Sequence, residues 1–195
     1  SKRKHIKQHI LHILRNIDSY SSQAISFLGY SYNVLNISPN AFCKKLLTDL
    51  PNAEPEFEKP EIIIGLNRAG CSHLNPIELD LIYSIDNSIF NMNWIVQTIA
   101  SFNRKPSPKL IRILLIKIDN EILKNVKTVE TNYIAVAFEA LCFTYSCANN
   151  GKTLLLDTMF QLWFELEQRK ACSGVLYAFL DGTARVDITG HVLNG

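Results

Sequence analysis

No uninterrupted apolar run in this chain approaches the roughly 18 residues that a membrane-spanning helix needs. The longest candidate, Leu110 to Ile118, is broken by Arg112 and Lys117, so no membrane span is expected. An excess of one charge is lacking too. The 20 Lys and Arg against 18 Asp and Glu leave a formal +2, too small to argue for or against nucleic acid. Common catalytic signatures are absent: there is no Gly-x-Ser-x-Gly elbow and no His-Glu-x-x-His helix. Cys71-Ser-His73 offers two ligand types without a second pair nearby, short of the four ligands of a structural zinc site or the three of a catalytic one. His5, His9 and His12 share one helical neighbourhood, but no Cys or carboxylate follows them at a fixed offset. Strand signal is scarce as well. Glu61 to Leu66 is the one strand-like run, and it reads equally as the start of a short helix ending near Gly70.

One near-match needs a physical answer. Ser146 to Thr153 nearly fits the P-loop pattern, with Ser146 where the first Gly belongs and Gly151-Lys152-Thr153 in place. A P-loop follows a strand, so that its backbone N–H groups cradle phosphate at a helix start. Here the preceding segment continues a helical pattern, and Asp157 is too close to act as a distant metal-binding residue. Catalytic residues, cofactors, metals and a small-molecule substrate are therefore all expected to be absent. The five cysteines are odd in number and irregular in spacing. Three of them lie in apolar helical patterns, where Cys acts as a small hydrophobe, so an intracellular, reducing compartment is the expectation. The sequon Asn36-Ile37-Ser38 is then expected to be unused. The chain opens on Ser1 without an initiator Met and reads as an excerpt or a processed product.

What is present is helix. With 47% hydrophobic and 19% charged residues the chain can bury a core. Lys109 to Val126 and Thr131 to Cys147 read as a helical hairpin. The first places Ile111, Leu114, Leu115, Ile118 and Ile122 on one face. The second is apolar nearly all round, with Glu139 the only charge between Thr131 and Gly151, which marks a helix buried on more than one side. Glu139 is expected to point from an exposed stripe or to pair with a base on a neighbouring helix; a buried carboxylate would signal function. Further helices are expected over Lys4 to Ile17, Gln23 to Leu35, Ser38 to Leu50, from Asn75-Pro76 onward, Trp94 to Phe102, Thr153 to Gln168 and Gly174 to Leu180. Pro51 to Pro60 holds three prolines and Glu54, Glu56 and Glu58, the clearest break. The division expected is 1–50, an N-terminal helical segment; 51–74, a loop and connector; and 75–195, a helical-repeat segment.

Dense segments at Ile95 to Phe102, Ile134 to Leu141 and Val175 to Leu180 recur about 40 residues apart, a period of the solenoid kind. The fold class expected is all-α, stacked antiparallel helical hairpins. The order Pro108-Lys-Leu-Ile-Arg-Ile-Leu114, a polar turn and Tyr133-Ile-Ala-Val-Ala-Phe-Glu-Ala-Leu141 resembles organellar octotricopeptide and heptatricopeptide repeats. The resemblance implies a non-enzymatic RNA-binding or structural part of a mitochondrial or plastid ribonucleoprotein. A HEAT-type protein–protein scaffold has the same pattern and stands as the alternative. Partners are thus other proteins of a large complex, or RNA held by its phosphates. The residues expected to contact phosphates are Lys2, Arg3, Lys4 and Lys7, as a flexible arm, and a stripe of Arg104, Lys105, Lys109, Arg112, Arg169 and Lys170 along one edge.

Overall fold

A computed structural model describes residues 2–54, 58–71, 88–102, 104–149, 151–170, 177–178, 180 and 184–194. The chain divides into two compact units, Ser1–Ile85 and Asp86–Gly195. Apart from one two-residue ladder, their regular structure among the described residues is helical.

The first unit is built from α1 (Lys2–Arg15), α2 (Ser22–Ser26), α3 (Gly29–Leu35), α4 (Asn40–Asp49) and α5 (Glu58–Arg68). The single helix expected over Gln23 to Leu35 is broken into α2 and α3 by a turn at Phe27 and Leu28. Ser21 caps α2, its Oγ accepting from the Ala24 N–H at 3.2 Å. The strand-like run becomes the middle of α5. Pro60 falls in the first turn, where a missing N–H costs nothing, and every residue from Pro60 to Leu66 is buried. Burial on all sides explains why three isoleucines mimic a strand here: packing decides, and β-propensity yields to it. α5 stops where expected. The Gly70 N–H donates to Asn67 O and the Cys71 N–H to Leu66 O, both at 3.0 Å, with Gly70 at φ +77°, a Schellman ending. α5 packs against α2 and α3 at glycines. A Cβ added to Gly65 would lie 2.6 Å from Ser26 O, and one added to Gly29 would run into Gly65 O. The core around them holds Ile25, Tyr32, Phe42, Leu46, Ile62 and Leu66.

Two expectations change in this unit. Pro51 to Pro60 does not separate domains, because α5 beyond it completes the core of the helices before it. The cysteines are not all thiols: Cys43 in α4 is bonded to Cys71, with Cα atoms 5.8 Å apart, inside the range a disulfide spans. Sequence spacing carries no trace of that proximity.

The second unit contains α6 (Ile89–Ser101), α7 (Pro108–Lys117), α8 (Thr131–Cys147), α9 (Lys152–Glu167) and α10 (Val186–Asn194). Ser88 and Ser107 cap α6 and α7 by accepting from the N–H three residues on, each at 3.1 Å, and Pro108 follows as the first helical residue. α8 is the hub: α6, α9 and α10 all pack on it, and Ile134 to Leu141 are buried without exception. The multi-sided burial expected of this helix is present. α7 is less engaged. Its buried residues are Leu110 and Leu114, followed by Ile118 and Ile122. These recur every fourth residue, a spacing that drifts about 40° per step on an α-helix of 3.6 residues per turn. A π turn over Ile118–Ile122 widens the helix and returns Ile122 to the core. Ile111 and Leu115, expected on the core face, are left half-buried beside it.

The helix expected over Gly174 to Leu180 is not found where its residues are described. Tyr177–Ala178 instead pairs antiparallel with Ala184–Arg185. The helix start at Asn75-Pro76 and the Cys71-Ser-His73 loop beyond Cys71 lie outside the described residues. No described helix is long and apolar enough to cross a membrane.

Candidate interaction groove

The cations expected to touch phosphate do not act alike. Lys2 to Lys7 belong to helix α1 and are not a flexible arm. Arg3 Nη2 donates to Val34 O at 2.5 Å and Lys7 Nζ to Leu35 O at 3.1 Å. Both therefore meet the last carbonyls of α3, which lack helical donors and carry the negative end of its dipole. Lys2 and Lys4 remain exposed.

Arg169 is a third structural cation. Its guanidinium is half-buried and donates to Val129 O at 2.7 Å, to Thr131 Oγ1 at 3.2 Å, and to Val126 O. It ties the end of α9 to the turn that enters α8. Burial lowers its pKa, against the pull of Glu165 and Glu130. Lys170 pairs with Glu167 at 2.6 Å and lies 5.7 Å from the centre of the Trp163 ring. These two sit at the C-terminal end of α9. α9 is 16 residues long, so its far end is about 24 Å away. The expected single stripe is divided.

At that far end Arg104, Lys105, Lys109 and Arg112 are all exposed, and none is paired with a described residue. No acidic residue occurs between Arg104 and Ile118. Lys105 and Arg112 border a groove of about 590 Å³ between α7 and the turn from α8 to α9. Its apolar lining includes Pro108, Ile111, Leu115, Ile116, Ala148 and Leu154. Ile116 and Leu154 at its lip are 49% and 58% exposed. The groove exists because α7 buries one narrow row and leaves the next row without a neighbour among the described residues. Sequence reading missed it, although a signal was present: Leu110, Ile111, Ile113, Leu114, Leu115 and Ile116 are more apolar positions than one stripe can hold.

The near P-loop is settled by backbone. Helix α8 runs directly into the turn, and Gly151 at φ +74° precedes α9, so the strand of a phosphate-binding loop is replaced by helix. Lys152 lies 4.8 Å from the Tyr145 ring centre.

The buried carboxylate is real. Glu139 is 1% exposed, and its Oε2 accepts from Asn93 Nδ2 on α6 and meets His191 Nδ1 on α10, both at 2.7 Å. It pairs with a base of a neighbouring helix, as expected, while lying in the interior. One helical turn further on, burial first and the Glu139 charge second push the Cys142 thiol up to about 11. The thiolate needed by a nucleophile is thereby suppressed. Among the described residues no group of three His, Cys, Asp or Glu is placed to hold a metal ion.

Compared with models of known protein families, with curated proteins and with solved structures, the chain matches none.

Proposed function

We propose that this chain is a non-enzymatic helical component of a larger assembly, and that it engages a protein partner through the basic-rimmed groove at the start of α7. The observation that carries this reading is the groove's composition. Lys105 and Arg112 border an open apolar surface, and with Arg104 and Lys109 they form an exposed basic stretch that no acidic residue interrupts in the sequence. An apolar floor with a charged rim is the general anatomy of a protein interface, and like charges on one face steer an oppositely charged partner to it. The helical make-up of the second unit fits the same role.

A second reading rests on the same cations: contact with RNA phosphates, as a ribonucleoprotein component. Against it, the groove's lining among the described residues holds no aromatic ring, whereas single-stranded RNA binding draws on stacking platforms. Binding of the purified chain to poly-glutamate and to unstructured RNA, each across a salt series, tests both. The expected result is salt-sensitive binding of poly-glutamate that weakens when Arg104 and Lys105 become Ala. RNA binding with a steep log–log salt slope and indifference to poly-glutamate would transfer the face to RNA. Failure of both probes at low salt would remove this face as an interaction site.

A further inference from the structure

We infer that the groove receives an acidic amphipathic helix of the partner protein. This rests on the reading that the α7 face is the interaction surface, and it names what that surface recognises. Along α7, Pro108, Ile111, Arg112, Leu115 and Ile116 all border the groove. Their spacing is i, i+3, i+4, i+7 and i+8, one continuous stripe about 12 Å long. A trough of two helical turns accepts two turns of a second helix. Helices bound in this way present apolar anchors at i, i+3 or i+4 and i+7.

The enclosure points to a macromolecular occupant. Small ligands bury most of their surface in their pockets, but here the lip residues Ile116 and Leu154 are themselves largely exposed. They gain a cover only from something that extends beyond the cavity. Charge chooses the partner's flanks. Lys105 and Arg112 border the trough, Arg104 and Lys109 are exposed next to lining residues in the sequence, and the nearest acidic residue along α7 is Asp119, paired with Lys124 at 2.9 Å. A helix with Glu or Asp beside its anchors therefore finds unpaired cations, whereas a basic helix meets four like charges.

The test is selection from a displayed library of helical peptides. Aliphatic residues are fixed at i, i+3, i+4 and i+7, and the remaining positions draw on Glu, Lys, Gln and Ala. The full chain is the target. The expected outcome is enrichment of Glu over Lys, with the winning peptide weakened about tenfold or more in Ile116→Ser/Leu154→Ser and in Arg112→Glu. Both lip residues are exposed, so the fold is expected to persist, and far-UV circular dichroism checks this. Enrichment of Lys, no enrichment, or a winning peptide indifferent to the lip substitutions would overturn the inference. RNA measured beside it separates the two levels. RNA binding that falls with Arg104→Ala/Lys105→Ala while no peptide is selected keeps the α7 face and discards the helical partner. Silence from both probes discards both.

Discussion

The Glu61 carboxyl sits inside the first unit between the helices that clasp α5, and the consequence is a dependence of stability on pH. Burial raises its pKa from 4.5 to about 7; a hydrogen bond from Gln23 opposes the rise, and the charge of Glu58 adds to it. Below pH 4.5 the group carries its proton in both folded and unfolded chains. Between 4.5 and about 7 the unfolded chain has lost the proton while the folded chain keeps it, so unfolding releases a proton and stability falls as pH rises. The full effect is on the order of 3 kcal/mol at most. Glu61→Gln keeps the shape and removes the titration. Urea unfolding of this unit at a series of pH values should show the wild-type midpoint falling from pH 4.5 to 8 and the variant midpoint staying level; two parallel curves would refute this account of Glu61. The Glu139 carboxyl, by contrast, has two polar partners. His191→Ala leaves a buried carboxylate one partner short, an expected cost of about 1–3 kcal/mol. The same substitution should cost less in a Glu139→Gln background. Equal costs in both backgrounds would show that the 2.7 Å contact contributes nothing to stability.

At the scale of helices, the sequence was most informative where period and cap agree. A helix beginning near Lys109, the burial of α8 on more than one side and the Gly70 stop follow from apolar spacing and turn chemistry, and the structure has all three. It misled where packing overrides local preference. Ile62, Ile63 and Ile64 suggest a strand until α2 and α3 enclose them, and a helix with two apolar rows does not say which row a neighbour will cover. The groove was illegible for that reason. Its cations could be named, but their division between the α7 face and the α8 entry turn depends on which helix ends meet. Arg169 makes that division testable. Arg169→Met should destabilise the second unit by about 1–3 kcal/mol by freeing the carbonyls of Val126 and Val129. It should leave binding at the α7 groove unchanged at temperatures where the fold persists. A variant of full stability and weaker binding would restore Arg169 to the interaction surface. The α2–α5 crossing gives a sharper case. At Gly65 even one methyl group meets Ser26 backbone at 2.6 Å, so Gly65→Ala is expected to lose about 1–3 kcal/mol or more, although alanine is the better helix former.

Across the whole molecule, each unit has its own core, and the Cys43–Cys71 bond lies entirely within the first. It closes a separation of 28 residues, and cross-linking a loop of that length restricts the unfolded chain by about 3–4 kcal/mol. The bond joins α4 to the residue just past the end of α5, so it pins the end of α5 against a helix that packs on α2. Cys142 and Cys147 in the second unit are not bonded. Reduction should therefore act on one unit alone. Hydrogen exchange followed by mass spectrometry, with and without reductant, should show peptides from Ser22–Ser26 and Glu58–Arg68 losing protection while those from α6 and α8 keep theirs. Cys43→Ser should reproduce the effect without reductant. Protection falling equally in both units would mean that they do not unfold independently. Structural disulfides persist in oxidising surroundings and are rare in reducing ones, so the same experiment measures how much stability the first unit surrenders in a reducing compartment. The α7 groove belongs to the unit without the bond, and peptide binding there should be the same in both redox states.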